Sequence, residues 1–283
     1  MTTQGLIIVG LTWFLALSVF LLHPFTKKLT NSYMFFWIPW GVFTSALCLV
    51  FRYIPDWIEH IESWATKGSN VESIDISRVF LLDACPMIGV LNMVACLMPN
   101  RKFGQIMAPI SIVAALLTIT AFGLNGEFSL NFLIVGKDQA NRGFFLIHFL
   151  NLITSCLFIV SCPKYTWKDF GKTAIFALSY LAYVGFWITV FGPDKLTSNV
   201  TGLLPGDWAS TGEYGSFAAM FNLPYPYVAF VSAIICYAVL TLLSMIFMWY
   251  GKLKKCQVLQ EVNPCWYYQY YKLPAKAFKP NEF

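Results

Sequence analysis

Seven stretches of this 283-residue chain are apolar for long enough to cross a bilayer as helices: residues 5–22, 33–53, 79–98, 105–123, 143–162, 173–192 and 224–250. A helix needs about 20 mostly apolar residues to traverse a hydrocarbon core of about 30 Å. Spans three and four are separated only by the tight turn Pro99-Asn100-Arg101-Lys102, whereas residues 54–78 and 193–223 are long connections. The first apolar run begins almost at once, without a basic n-region or a small-x-small cleavage site, so it reads as a retained span. The pattern predicts an all-α membrane protein with a seven-span membrane domain over residues 1–252 and a basic, aromatic tail over 253–283.

Composition points the same way. The chain is 58% hydrophobic and 12% charged, against roughly 25% charged residues in a soluble domain, and its mean hydropathy is +0.62. Charge then adds a direction. The first, third and fifth connections carry Lys27, Lys28, Arg101, Lys102, Lys164, Lys168 and Lys172, and the tail adds six more lysines. The other side has only Arg52, Lys67, Arg78, Lys137, Arg142 and Lys195, and most of the acidic residues. Basic connections stay in the cytoplasm, so the N-terminus is predicted outside and the C-terminus cytoplasmic. The localisation this implies is a multi-pass protein of the cell membrane. No basic stretch interleaved with aromatics suggests a nucleic-acid partner.

Two residues inside the spans carry candidate chemistry. Cys85 lies seven residues past Arg78 in span three, and His148 six past Arg142 in span five. Both spans run inward from the outside. If the arginines mark one surface, thiol and imidazole share a depth roughly 9–11 Å below it, within the outer leaflet. A thiol beside an imidazole is sufficient for covalent acyl transfer. Asp83 should face the bundle interior, because a lipid-facing carboxylate is expensive, and it is the candidate to orient the imidazolium. Pro86 removes a backbone hydrogen bond and is expected to kink the helix and free a carbonyl beside the thiol. Asn151 lies one turn beyond His148 on the same face, and Asn92 one heptad beyond Cys85. These two amides and Pro86 are the candidate substrate contacts, with interhelical hydrogen bonding as the plainer role for the amides.

The other cysteines, Cys48, Cys96, Cys156, Cys162, Cys236, Cys256 and Cys265, read mainly as structural; Cys48, in the outer third of span two, is the rival thiol. No ligand set for a metal and no phosphate loop, GxSxG elbow or HExxH motif is present, so neither metal nor cofactor is expected.

The segment Leu81-Leu82-Asp83-Ala84-Cys85-Pro86-Met87, followed two spans later by Phe144-Phe145-Leu146-Ile147-His148-Phe149-Leu150-Asn151, resembles the YwaF-like integral membrane proteins and their animal relative, transmembrane protein 164. The resemblance covers roughly residues 33–250 and includes the seven-span layout and a long outer loop before the last span. It implies a Cys/His phospholipid acyltransferase in which Cys85 and His148 match the family's pair. The chain departs from the pattern at Asp83-Ala84, where bacterial relatives often carry a His before the Cys. Leu223-Pro224-Tyr225-Pro226-Tyr227 only loosely echoes the family's aromatic-Pro signature.

The expected function is therefore transfer of a fatty acyl chain from a phospholipid, through a Cys85 thioester, to a lipid or lipoprotein acceptor. Two alternatives stand beside it: a transporter or channel lined by Asp83, Asn92 and His148, and a non-catalytic membrane scaffold. A sulfur–imidazole approach favours the enzyme, and a continuous polar path favours transport.

Overall fold

The computed structural model describes residues 3–55, 57–58, 79–124, 143–162, 164–191 and 222–257. These form α1 (Thr3–Leu21), α2 (His23–Leu29), α3 (Ile38–Cys48), α4 (Ala84–Leu97), α5 (Lys102–Leu124), α6 (Phe144–Ser161), α7 (Trp167–Phe191) and α8 (Tyr227–Gln257). Two π-helical turns, Tyr33–Trp37 and Leu49–Tyr53, extend α3 at both ends, so its span runs Tyr33–Tyr53. No strand occurs among the described residues. Among the described residues, six helices are long and apolar enough to cross a membrane: α1, the extended α3, α5, α6, α7 and α8.

The exception corrects the predicted third span. Its helix begins at Ala84 rather than at 79 and has 14 residues, because Leu81 adopts a left-handed φ of 53°. The last helix also runs past the predicted boundary at residue 252, to Gln257. Arg78 and Arg142, on which the depth argument rests, and residues 258–283 of the tail lie outside the described residues.

α6 is the axis of the bundle: 67% of its span is buried, against 6% for α7. A row of small residues on α5, Gly104, Ala108, Ser111 and Ala115, recurs every three or four positions and is buried. Such a row lets two backbones approach closely where lipid supplies no hydrophobic drive for association. Ala108 and Ala115 pack in one core cluster with Leu152, Cys156 and Ile159 of α6, together with Ala16 of α1 and Phe247 of α8. A Cβ built on Gly104 would lie 2.5 Å from the Phe158 ring. Phe158 cannot swing aside, because it is fully buried and stacked on Trp37 at 4.8 Å. Gly104→Ala is accordingly expected to destabilise the protein by about 1–3 kcal/mol, read as a lower Tm in detergent.

Contacts along these helices fix their directions. Gly104 meets Phe158 while Ser111 meets Asn151, so α5 and α6 are antiparallel. Cys85 meets Asn151 while Cys96 clusters with Phe158, so α4 and α6 are parallel. α1 starts near the start of α6, where Ile8 packs with Ile119, Phe144 and Phe145. α8 ends beside the end of α1, where Tyr250 approaches Phe20 and His23.

The end of the bundle at the α4–α5 turn is closed by polar contacts. The Arg101 guanidinium sits 4.9 Å from the centre of the Trp37 ring and donates to the Thr30 carbonyl at 3.0 Å. The Asp169 carboxylate takes the Thr166 N–H at 2.9 Å and the Thr166 hydroxyl at 2.7 Å, a capping box that starts α7 six residues earlier than the apolar pattern predicts. Lys102 Nζ pairs with the same carboxylate at 2.9 Å and donates to Gln105 at 2.7 Å. Burial holds the Tyr165 phenol above the ordinary tyrosine range, partly offset by its 2.7 Å hydrogen bond with Thr173.

Candidate functional site

Cys85 is the second residue of α4 and is half-buried, with Asp83 at the N-cap position before it. Pro86 is the third helical residue, which corrects the expected kink: proline is tolerated in a first turn, where the N–H has no intrahelical acceptor anyway. The carbonyl that the Pro86 nitrogen cannot serve, Leu82 O, accepts the Tyr180 hydroxyl instead. Tyr183 donates to Phe80 O at 2.7 Å, Tyr53 to Pro86 O at 2.7 Å, and Asn151 Nδ2 to Cys85 O at 3.0 Å. Side chains from α7 thus hydrogen-bond two carbonyls of the irregular segment 80–82, as backbone within an apolar bundle requires, and side chains from the α3 span and α6 add bonds to two carbonyls in the first turn of α4. Phe80 adds a ring contact at 3.9 Å with Trp187 of α7.

The two α7 tyrosines are three residues apart and share one face, and they hold the segment that presents Cys85. Replacing both, Tyr180→Phe and Tyr183→Phe, leaves two carbonyls short of a donor. The expected loss is about 2–4 kcal/mol in total, with faster alkylation of Cys85 relative to exposed Cys236, read peptide by peptide.

His148 lies in the first turns of α6 and is buried. Its Nδ1 is 2.7 Å from the Phe144 carbonyl, and its ring is 4.3 Å from the Phe144 ring. A carbonyl can only accept, so Nδ1 carries the hydrogen and the neutral ring keeps its lone pair on Nε2. Arg52, buried in the last turn of the α3 span, packs beside the start of α6, where a Cβ on Gly143 would lie 3.4 Å from Arg52 Cβ.

The contact that ties α6 to the Cys85 turn comes from Asn151, one turn beyond His148 on the same helix. Gly89 makes the approach possible: a Cβ there would meet the Tyr53 hydroxyl at 2.5 Å and Asn151 Oδ1 at 3.5 Å. Asn92 joins Asn151, Ser111 and Ser155 in a buried polar node two turns farther along α4 than Cys85, between α4, α5 and α6. Its neighbours there are the node residues, which is the interhelical role weighed for it. Cys48 is packed in the core with Tyr53, Met93, Ile147 and Leu150. Among the described residues, no group of three or more His, Cys, Asp or Glu could hold a metal ion.

Arg52, Tyr53, Ser111, Ser155, Tyr180 and Tyr183 were not singled out by the sequence pattern. For the two α7 tyrosines a signal existed, their spacing of three within an apolar span. Arg52 had been counted as a charge of the outer side.

Two curated relatives share part of this chain. The uncharacterized protein MG135 of Mycoplasma genitalium is 33% identical over 163 residues, 56% of each chain. Its homolog in Mycoplasma pneumoniae is 32% identical over 171 residues, also 56% of each. The chain thus spans about half the length of the curated relatives it matches. No solved structure matches it. A family model described as a family of unknown function, DUF5378, matches residues 8–276. The chain belongs to the DUF5378 family.

Proposed function

We propose that this protein is a seven-span membrane acyltransferase, with its N-terminus outside and its C-terminus cytoplasmic, that moves a fatty acyl chain from a phospholipid through a Cys85 thioester to a lipid or lipoprotein acceptor. The observation that carries the reading is the 3.0 Å hydrogen bond from Asn151 Nδ2 to the Cys85 carbonyl. It joins the helix that bears an oriented His148 to the turn that bears a half-buried thiol. The rival thiol, Cys48, is fixed in the core.

In this mechanism His148 Nε2 takes the proton of Cys85 Sγ, and the thiolate attacks the acyl ester carbon. The C–O ester bond breaks, and the leaving lysophospholipid oxygen takes the proton back from the imidazolium. A hydroxyl or amine acceptor then attacks the thioester, gives its proton to His148, and regenerates the thiol on leaving with the acyl chain. The Phe144 carbonyl on Nδ1–H orients the imidazolium, Asp83 is assigned the part of offsetting its charge, and N–H groups of the first turn of α4 are the candidate oxyanion donors.

Helix length supports the outer-leaflet level. The 14 residues of α4 rise about 21 Å from the α4–α5 turn, about 9 Å short of a 30 Å core. A polar pathway through the bundle is the weaker reading. Among the described residues, buried Met107, Ala108 and Phe158 lie between the Asn92–Ser155 node and Gln105 and are apolar.

The test is transfer by the purified protein in nanodiscs, using phospholipid labelled in its acyl chain and a lysolipid or amine acceptor. Labelled acceptor and lysophospholipid are expected in equal amounts, and His148→Gln should slow their formation by about 10²–10⁴-fold. Folded protein that yields neither product contradicts the reading.

A further inference from the structure

The polar node in the middle of the bundle has a direction, and it ends on an atom with nothing to accept. Cys85 O is a pure acceptor, so the Asn151 atom 3.0 Å from it is the amide nitrogen. Asn151 Oδ1 therefore faces the other way and receives Asn92 Nδ2 at 3.2 Å. That contact orients Asn92 in turn: its nitrogen points at Asn151 and, at 3.5 Å, at Ser111 Oγ. Flipping either amide would set oxygen against oxygen, so the order of the chain is dictated from the Cys85 carbonyl onward.

The serines do not complete it. The Ser155 hydroxyl donates to Ser111 Oγ at 2.7 Å, and the Ser111 hydroxyl donates to the Asn151 carbonyl at 3.3 Å. Both hydroxyl hydrogens are used. Asn92 Oδ1 is left without a hydrogen-bond partner among the described residues, on a side chain only 3% exposed. Buried amide oxygens are otherwise nearly always satisfied.

We propose that Asn92 Oδ1 binds a single buried water molecule, which donates one hydrogen to it. The ligand must bring a hydrogen to donate, because only an acceptor is open. It must be neutral, because the node of Asn92, Asn151, Ser111 and Ser155 holds no charged side chain, and an unpaired ion there would be strongly disfavoured. It must be small, because Asn92, Ser111 and Ser155 are at most 3% exposed. Ser155 Oγ keeps lone pairs that can take the second hydrogen, giving the water the two or more polar partners a buried water needs. The molecule closes a chain of amide dipoles that begins at the Cys85 carbonyl, and this site does not depend on the acyl-transfer reading.

The experiment is a crystal structure of the full chain grown from a lipidic mesophase in sodium salt and again in rubidium salt. The expected result is a density peak about 2.6–3.0 Å from Asn92 Oδ1, with no anomalous signal in either salt. An empty position there overturns the proposal. So does a peak that becomes an anomalous scatterer in rubidium, which would mark a cation site.

Discussion

Cys85→Ala is expected to abolish the proposed acyl transfer, lowering the rate by at least about 10³-fold, because in that mechanism the Cys85 thiol forms the covalent intermediate. The protein should still fold: Cys85 is only half-buried in the first turn of α4. Its anchoring contacts, from Asn151, Tyr53 and Tyr180, go to backbone carbonyls that alanine keeps. Cys85→Ser should retain a trace of activity, since a hydroxyl is a far poorer nucleophile than a thiol at the same position. Cys48→Ser is the control. Cys48 is 3% exposed among Tyr53, Met93, Ile147 and Leu150, so the change should lower stability by about 1–3 kcal/mol through a buried hydroxyl and leave the transfer rate intact. Labelled product from lipid of defined acyl composition measures all three.

The second large effect is on stability, at the opposite end of the bundle. Asp169 is 3% exposed and is held by Lys102 Nζ at 2.9 Å as well as by the Thr166 N–H and hydroxyl. Lys102→Met removes the only cation this carboxylate is seen to touch among the described residues. Breaking a buried pair from one side typically costs 3–5 kcal/mol; the Lys102 side chain is 29% exposed, so about 3 kcal/mol is expected. That corresponds to a fall in Tm of roughly 6–12 °C for a chain of this size. Adding Asp169→Asn to Lys102→Met should recover part of the loss, because no unpaired charge remains. The pair ties α5 to α7, and α7 carries the tyrosines that hold residues 80–82. Loosening it should therefore also raise the alkylation rate of Cys85, although Tyr180 and Tyr183 lie three to four turns along α7 from Asp169.

Hydrophobic runs located the helices well. The second span was read as 33–53, and the π-turn-extended α3 has those bounds. The third was misread because its apolar run, residues 79–98, is longer than its helix. Leu81 and Leu82 are apolar yet not helical, and hydropathy cannot separate an apolar helix from an apolar strap. The correct start was nonetheless written locally: an Asp at the N-cap position and a Pro three residues on are both helix-start signals. The Thr166/Asp169 capping box was likewise legible and would have moved the start of α7 back to Trp167.

The contacts that build the candidate site were beyond reach of the sequence. Tyr180 and Leu82 are 98 residues apart, Tyr183 and Phe80 103, and Asn151 and Cys85 66. Spacing along one helix says which residues share a face but not which neighbour that face meets. Depth from flanking arginines addressed one coordinate only; the lateral contact seen between α6 and the Cys85 turn is the one from Asn151 to the Cys85 carbonyl, beside the space left at Gly89.

The most direct measurement is the site of acylation. The purified full-length protein is incubated with phospholipid of a single acyl composition, digested, and mapped by mass spectrometry with and without hydroxylamine. The expected result is one acyl group on the peptide containing Cys85, removed by hydroxylamine and lost in Cys85→Ala. Acylation of a different cysteine, or folded protein that carries no acyl group after exposure to phospholipid, would contradict the assignment of Cys85 as the nucleophile.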